Sequence, residues 1–141
     1  MKKVISAVMG FAAVISLGFL APAAMAADMG AKAVGMWKTP KGSVIRITGG
    51  KSSIAGTIVS VKDNSRRDSK NPNKAKRSRK LPGIRMFNLK KNGANAWKGS
   101  LYNTEDGKTY AGHVKVLSAN QIKLSGCVAS IFCKSQTWNR K

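Results

Sequence analysis

The sequence predicts an all-β protein, an antiparallel up-and-down barrel of eight strands preceded by a helical signal peptide. Short stretches of alternating apolar and polar residues recur along the chain, and turn residues rich in Gly, Asn and Asp separate them. No helical apolar pattern of useful length follows residue 26. Sequential strands joined by tight turns suit a barrel, because a barrel closes on itself and leaves no strand edge exposed.

Period-two alternation identifies the individual strands. Ile45 and Ile47 fall on one face and Arg46 on the other, and Ile122 and Leu124 repeat the pattern later in the chain. This alternation is typical of a half-buried antiparallel strand. The predicted strands are residues 34–38, 43–48, 53–61, 84–89, 95–102, 108–117, 121–128 and 132–138.

The first 26 residues have the organisation of a secretory signal peptide. Lys2 and Lys3 give a positive start, residues 4–20 carry no charge, and Ala24 and Ala26 stand where signal peptidase reads small residues. A transmembrane anchor is the alternative, but this stretch is marginal for a span that needs about 20 apolar residues. We expect cleavage near Ala26, a periplasmic or secreted location, and one domain over residues 27–141.

The charge of the chain is strongly positive. It holds 26 basic and 5 acidic residues, and removal of residues 1–26 leaves 24 basic and 5 acidic, a net charge of +19. Such a surface attracts polyanions by electrostatic steering and counterion release. Export would place it among lipopolysaccharide and anionic phospholipid head groups, so nucleic acid is not an expected partner.

Residues 62–83, called the basic loop below, form the one long connection between predicted strands. Residues 62–91 hold 12 basic and 2 acidic residues, a net charge of +10. A solvated, mobile loop is one interpretation. A polyanion-binding segment is the other, because a loop this long in a compact domain is often functional. The candidate polyanion-binding residues are Arg66, Arg67, Lys74, Lys76, Arg77, Arg79 and Lys80.

Cys127 and Cys133 are the only cysteines. In an exported protein an even pair at short range predicts a disulfide, which would contribute about 2–3 kcal/mol by constraining the unfolded chain. Two buried free thiols are the alternative. Because His113 is the only histidine, we expect no metal site and no cofactor.

No convergent set of catalytic groups is visible. His113 has no identifiable orienting partner or nucleophile in its surroundings. Asp63 and Asp68 share the basic loop, where pairing with a neighbouring cation is the simplest account of both. Those neighbours are Arg66, Arg67 and Lys70. We therefore expect a protein without enzymatic activity.

A series of short motifs covers nearly the whole chain after residue 34. The motifs are Gly35-Met36-Trp37, Gly56-Thr57-Ile58-Val59, Asp68-Ser69-Lys70-Asn71-Pro72, Leu81-Pro82-Gly83-Ile84, Trp97-Lys98-Gly99, Leu101-Tyr102-Asn103, Asp106-Gly107-Lys108-Thr109-Tyr110, Gly126-Cys127 and Cys133-Lys134-Ser135-Gln136-Thr137-Trp138-Asn139-Arg140. Together they resemble the bacterial domain-of-unknown-function family 2147. The resemblance implies an exported small barrel of the calycin or lipocalin-like type, and it implies no known activity.

The resemblance also implies a role for two residues. In lipocalin-like barrels a Gly-x-Trp on the first strand is covered by a basic side chain that follows the last strand. Trp37 and Arg140 match those positions and are the expected barrel-closing pair. A guanidinium over an indole gains about 1–2 kcal/mol by a cation–π interaction when it is desolvated.

Two functions follow as expectations. The first is a monomeric, non-catalytic binding protein for a small hydrophobic or lipidic envelope ligand held inside the barrel. The alternative is an envelope-surface protein that binds anionic polymers, such as lipopolysaccharide or anionic phospholipid, through its basic surface and loop, with peripheral membrane contact. A roomy apolar interior would favour the first function, and a filled interior would favour the second.

Overall fold

The computed structural model describes residue 18 and residues 32–141. Each of its eight strands pairs antiparallel with the next, and β8 pairs with β1, so the sheet closes into a barrel. The predicted all-β barrel is confirmed. The strands are β1 Gly35–Lys38, β2 Val44–Gly49, β3 Ser53–Ser60, β4 Arg85–Gly93, β5 Ala96–Asn103, β6 Lys108–Ser118, β7 Gln121–Val128 and β8 Phe132–Arg140.

The predicted signal peptide, residues 1–26, lies outside the described residues except for residue 18. In the part of the chain that is described, no helix has both the length and the apolar character needed to cross a membrane.

Strand β4 is longer than the sequence predicts. It continues to Gly93, four residues past the predicted end at residue 89. Lys90 and Lys91 pair with Lys98 and Trp97 of β5, which carries the ladder through two consecutive exposed lysines. Backbone pairing therefore extends the strand where the side-chain alternation stops.

The barrel closes through a short contact between β1 and β8. Trp37 lies opposite Arg140, and Lys38 lies opposite Asn139. The Arg140 guanidinium carbon is 4.3 Å from the centroid of the Trp37 ring. Arg140 also donates to the backbone carbonyls of Lys32, Val34 and Ala119 at 2.5, 3.0 and 2.8 Å. One side chain thus joins the residues that precede β1 to the β6–β7 turn.

The interior of the barrel is filled by side chains. Trp37, Trp97 and Trp138 are at most 1% exposed, and the rings of Phe87 and Trp138 lie 6.5 Å apart. Gly56 makes room for this packing, because a Cβ atom there would overlap the Phe87 ring. The remaining buried core includes Ile45, Ile47, Ile54, Leu89, Val114, Val116 and Ile122.

The alternating strand direction sorts the connections into two groups. The turns over residues 50–52, 94–95 and 119–120 lie at one end of the barrel. The connections at the opposite end, called the loop end below, are residues 39–43, 61–84, 104–107 and 129–131. The Lys41 ammonium bonds the Glu105 carboxylate at 2.6 Å, which ties two of these loops together.

Replacing Arg140 by Ala should lower the free energy of unfolding by about 2–4 kcal/mol, because it removes the cation–π contact and three hydrogen bonds to backbone carbonyls. Urea denaturation measures the change. Lys123→Ala is the matched control, since it also removes one exposed cation from a strand and should cost less than about 0.5 kcal/mol. Equal costs for the two variants would contradict this role of Arg140.

Candidate polyanion-binding site

The basic loop has its own hydrogen-bonded structure. Residues Lys74–Lys76 form a 3-10 helix, and the side chain of Asn73 caps it by accepting from the Ala75 N–H at 3.0 Å. Arg67 and Lys80 form an antiparallel bridge that closes the base of the loop. Leu81 then enters the core of the barrel, where it is 3% exposed. The loop is therefore folded against the barrel.

A buried carboxylate lies at the centre of the loop. Asp68 has no solvent exposure, and its two oxygens accept hydrogen bonds from three side chains. The Tyr102 hydroxyl on β5 donates at 2.6 Å, and the Asn71 amide donates at 2.8 Å. The Arg79 guanidinium donates at 2.9 Å through Nε, and one of its terminal nitrogens forms an ion pair with the same oxygen at 2.8 Å. The carboxylate thereby connects both arms of the loop to the barrel wall.

This arrangement differs from the sequence-based expectation. The predicted pairing of Asp68 with Arg66, Arg67 or Lys70 is wrong, because the ion pair is with Arg79, eleven residues along the chain. The bridge between the two arms of the loop places Arg79 beside the carboxylate. The cations closest to Asp68 in sequence are not its partners, because the two paired arms of the loop bring residues that are distant in sequence together.

The environment of the Asp68–Tyr102 pair favours a charged carboxylate and a protonated phenol, which is the combination that their hydrogen bond needs. Burial acts to raise the pKa of Asp68, but the hydrogen bonds from Tyr102, Asn71 and Arg79, together with the charge of Arg79, lower it below its ordinary value of 3.8. Burial and the hydrogen bond to Asp68 raise the pKa of Tyr102 to about 12. At neutral pH the carboxylate is therefore charged and the phenol keeps the proton that it donates.

Three of the seven candidate cations hold the loop together. Arg67 donates to the Ser78 carbonyl, Arg77 donates to the Asn71 carbonyl at 2.7 Å, and Arg79 pairs with Asp68. The other four side chains are exposed, and none of them makes a hydrogen bond or ion pair with the rest of residues 32–141. These four, called the free cations below, are Arg66, Lys74, Lys76 and Lys80.

Sequence reasoning recovered only part of this network. The pair Asn71-Pro72 indicates a turn, and Asn71 does accept from the Asn73 N–H at 2.8 Å. Tyr102 belongs to the motif Leu101-Tyr102-Asn103, but nothing in the sequence indicated its contact with Asp68, because it lies 34 residues away on a strand whose end reaches the loop only in the folded barrel.

His113 lies on strand β6 and not in the basic loop. His113 is half-buried on the outer wall of the barrel, where it borders two shallow depressions with Lys123 and Ser125. Within the described range no group of three His, Cys, Asp or Glu side chains could hold a metal ion.

The predicted disulfide is confirmed. Cys127 and Cys133 face each other across the β7–β8 hairpin with an S–S distance of 2.02 Å. The alternative of two free thiols is wrong.

A protein of known structure shares this architecture. The model of a family described as "Uncharacterized protein conserved in bacteria (DUF2147)" matches residues 35–140. The chain is similar to a solved structure described as "Protein HP1028 from the human pathogen Helicobacter pylori belongs to the lipocalin family", at 27% identity over 77% of this chain and 82% of that one, with a TM-score of 0.68. A redesigned beta barrel aligns at 10% identity over 80% of this chain and 95% of that one, with a TM-score of 0.49. No match was found among the curated proteins.

Replacing Asp68 by Asn should expose the basic loop to proteolysis, because it removes the charge that pairs with Arg79. We expect tryptic cleavage within residues 62–83 at pH 8 to accelerate about tenfold or more. Asp63→Asn removes the same charge from an exposed position of the same loop and should leave cleavage near the wild-type rate. Indistinguishable rates for the two variants would show that Asp68 does not hold the loop.

The stabilising effect of Tyr102 should depend on pH. The Tyr102 contribution is present below its unfolded pKa of about 10 and is lost as the pH rises towards its folded pKa of about 12. The Asp68 contribution is present above its unfolded pKa of about 3.9 and is lost as the pH falls through its lowered folded pKa. The stability difference between wild type and Tyr102→Phe, measured by urea denaturation, should therefore be largest between these limits and shrink at both. A difference that stays constant would count against the pair.

Proposed function

We propose that this chain, which belongs to the uncharacterised bacterial family DUF2147, is a non-catalytic binding protein of the cell envelope. Its basic loop binds the phosphate groups of anionic lipids. Phospholipid head groups and lipopolysaccharide both present such phosphates. The lipocalin-like fold and the family fit a binding protein. The choice of ligand rests on the charges and the packing described above.

The free cations are the observation that carries the proposal. Arg66, Lys74, Lys76 and Lys80 are exposed on one loop whose two arms are joined by Asp68 and Arg79, and they have no neutralising partner among the described residues. Cations on a folded loop attract phosphate without the entropy cost of ordering the backbone on binding. Such binding weakens steeply as salt rises.

The distribution of charge among the connections between strands also favours the loop end as the binding face. The four connections of the loop end hold 10 basic and 4 acidic residues, a net charge of +6. The three turns at the opposite end hold Lys51 as their only charged residue, a net charge of +1. Among the connections between strands, positive charge is therefore concentrated at the loop end, where it attracts an anionic surface.

Export supports the choice of an envelope ligand. Residues 1–26 have the pattern of a signal peptide, and the Cys127–Cys133 disulfide is of a kind that persists in oxidising compartments. Under this proposal the mature chain works in the periplasm or after secretion, where phosphate-bearing lipids are accessible.

A small ligand inside the barrel is the second candidate; it would have to displace packed side chains, but one observation favours it. The indole N–H of Trp97 is buried and lacks a hydrogen-bond acceptor within the described part of the protein. A buried donor without a partner costs about 1–3 kcal/mol, so a small ligand with an acceptor atom would be stabilised there. Native mass spectrometry of protein from its own host tests this candidate. An empty barrel in every preparation would reject it.

Neutralising the free cations should weaken lipid binding. Each basic residue near an anionic membrane contributes about 1 kcal/mol, so a variant with all four changed to Gln should bind anionic vesicles about a hundredfold or more weakly. Vesicle co-sedimentation at low salt measures the effect.

A matched control removes the same charge from the barrel wall. Lys90, Lys98, Lys115 and Lys123 are exposed on β4 to β7, and changing them to Gln should reduce binding far less. Equal losses for the two variants would show that net charge alone, and not the basic loop, governs binding. Absence of binding by the wild-type protein would overturn the proposed function.

A further inference from the structure

Exposed apolar side chains gather at one hairpin. The described residues contain four large hydrophobic side chains that are strongly exposed, and three of them lie in the β7–β8 hairpin. Val128 is 52% exposed, Ile131 is 79% exposed and Phe132 is 73% exposed. The fourth is Leu117, 47% exposed, on β6. Single exposed apolar residues are ordinary, but a cluster on adjacent positions marks an interaction surface.

The hairpin holds these side chains in a fixed turn. Val128 pairs with Phe132, and the Cys127–Cys133 disulfide joins the next pair of the ladder. Ala129 and Ser130 occupy left-handed conformations with φ of 54° and 60°. Few non-glycine residues adopt that region, and those that do are held there by the surrounding structure. Val128, Ile131 and Phe132, called the apolar tip below, are therefore exposed to solvent on a turn that strand pairing and the disulfide hold in place.

The position of the tip indicates its partner. Residues 128–132 carry no charge, and their turn lies at the same end of the barrel as the basic loop. A bilayer of anionic phospholipid offers phosphates to the free cations and an apolar boundary to the tip in one surface. A soluble polyphosphate would leave the apolar side chains in water.

We propose that Val128, Ile131 and Phe132 insert into the boundary between head groups and acyl chains of an anionic phospholipid bilayer. This inference rests on the proposed function and assigns to it a second, apolar contact. The basic loop attracts the membrane at long range, and the tip adds a contact that salt does not screen. The orientation that results places the loop end of the barrel on the membrane.

The first test compares a double variant of the hairpin with a single control variant on vesicles of phosphatidylcholine that contain about a third phosphatidylglycerol. Ile131→Ser with Phe132→Ser should weaken vesicle binding about tenfold or more, because two apolar side chains lose their burial. The same variant should bind soluble polyphosphate as the wild type does. Leu117→Ser, at an exposed apolar position outside the hairpin, should leave both affinities unchanged. Circular dichroism and urea denaturation check that each variant is folded.

The second test measures depth with lipids brominated along their acyl chains. A Phe132→Trp variant should be quenched on binding, while the native Trp37, Trp97 and Trp138 stay shielded because they are at most 1% exposed. A Leu117→Trp variant is the matched control and should not be quenched. Quenching of the two engineered positions to the same extent would overturn insertion at the tip.

The outcomes separate this inference from the proposed function. If the loop variant loses vesicle binding while the tip variant keeps it, insertion is wrong and the proposed function stands. If the tip variant loses binding while the loop variant keeps it, insertion stands and the proposed function is wrong. A dimer in analytical ultracentrifugation that the tip variant abolishes would show that a second copy covers the tip, and this would also overturn insertion.

Discussion

Strand β8 pairs with β1 over two residues only, and Arg140 reinforces that short contact. Its guanidinium lies over Trp37 and donates to carbonyls on both sides of the seam. The alternating direction of the strands has a consequence beyond stability, because it sends every second connection to the same end of the barrel. The basic loop and the β7–β8 hairpin share a face for this reason, although about 50 residues separate them in the sequence.

The basic loop depends in turn on one buried anion. Residues 62–83 contain nine basic residues and two acidic ones, so repulsion among the cations opposes a compact arrangement. Asp68 offsets that repulsion by pairing with Arg79, and its bond to Tyr102 fixes the loop to β5. Arg67 and Arg77 are held by backbone carbonyls. Some cations of the loop therefore maintain its shape, and the free cations remain exposed to a ligand.

Period-two alternation predicted the strands and the barrel because each strand has one face in the core. It could not predict the partners of Asp68, since the contact with Tyr102 depends on where β5 ends relative to the loop. It also missed the exposure of Ile131 and Phe132. Phe132 reads as the start of an ordinary strand and Ile131 as part of the turn before it, but the β7–β8 hairpin continues past the end of β1, which pairs with β8 only at residues 139 and 140. Contacts set by strand length and closure are not encoded in local sequence.

Hydrogen exchange measured with and without an anionic phospholipid bilayer tests the central claim most directly. That claim is that the loop end of the barrel, with the free cations and the apolar tip, forms the binding face. The account predicts slower exchange within residues 62–83 and 128–132 and unchanged exchange in the turns at residues 50–52, 94–95 and 119–120. Protection spread evenly over the barrel, or centred on those three turns, would contradict it.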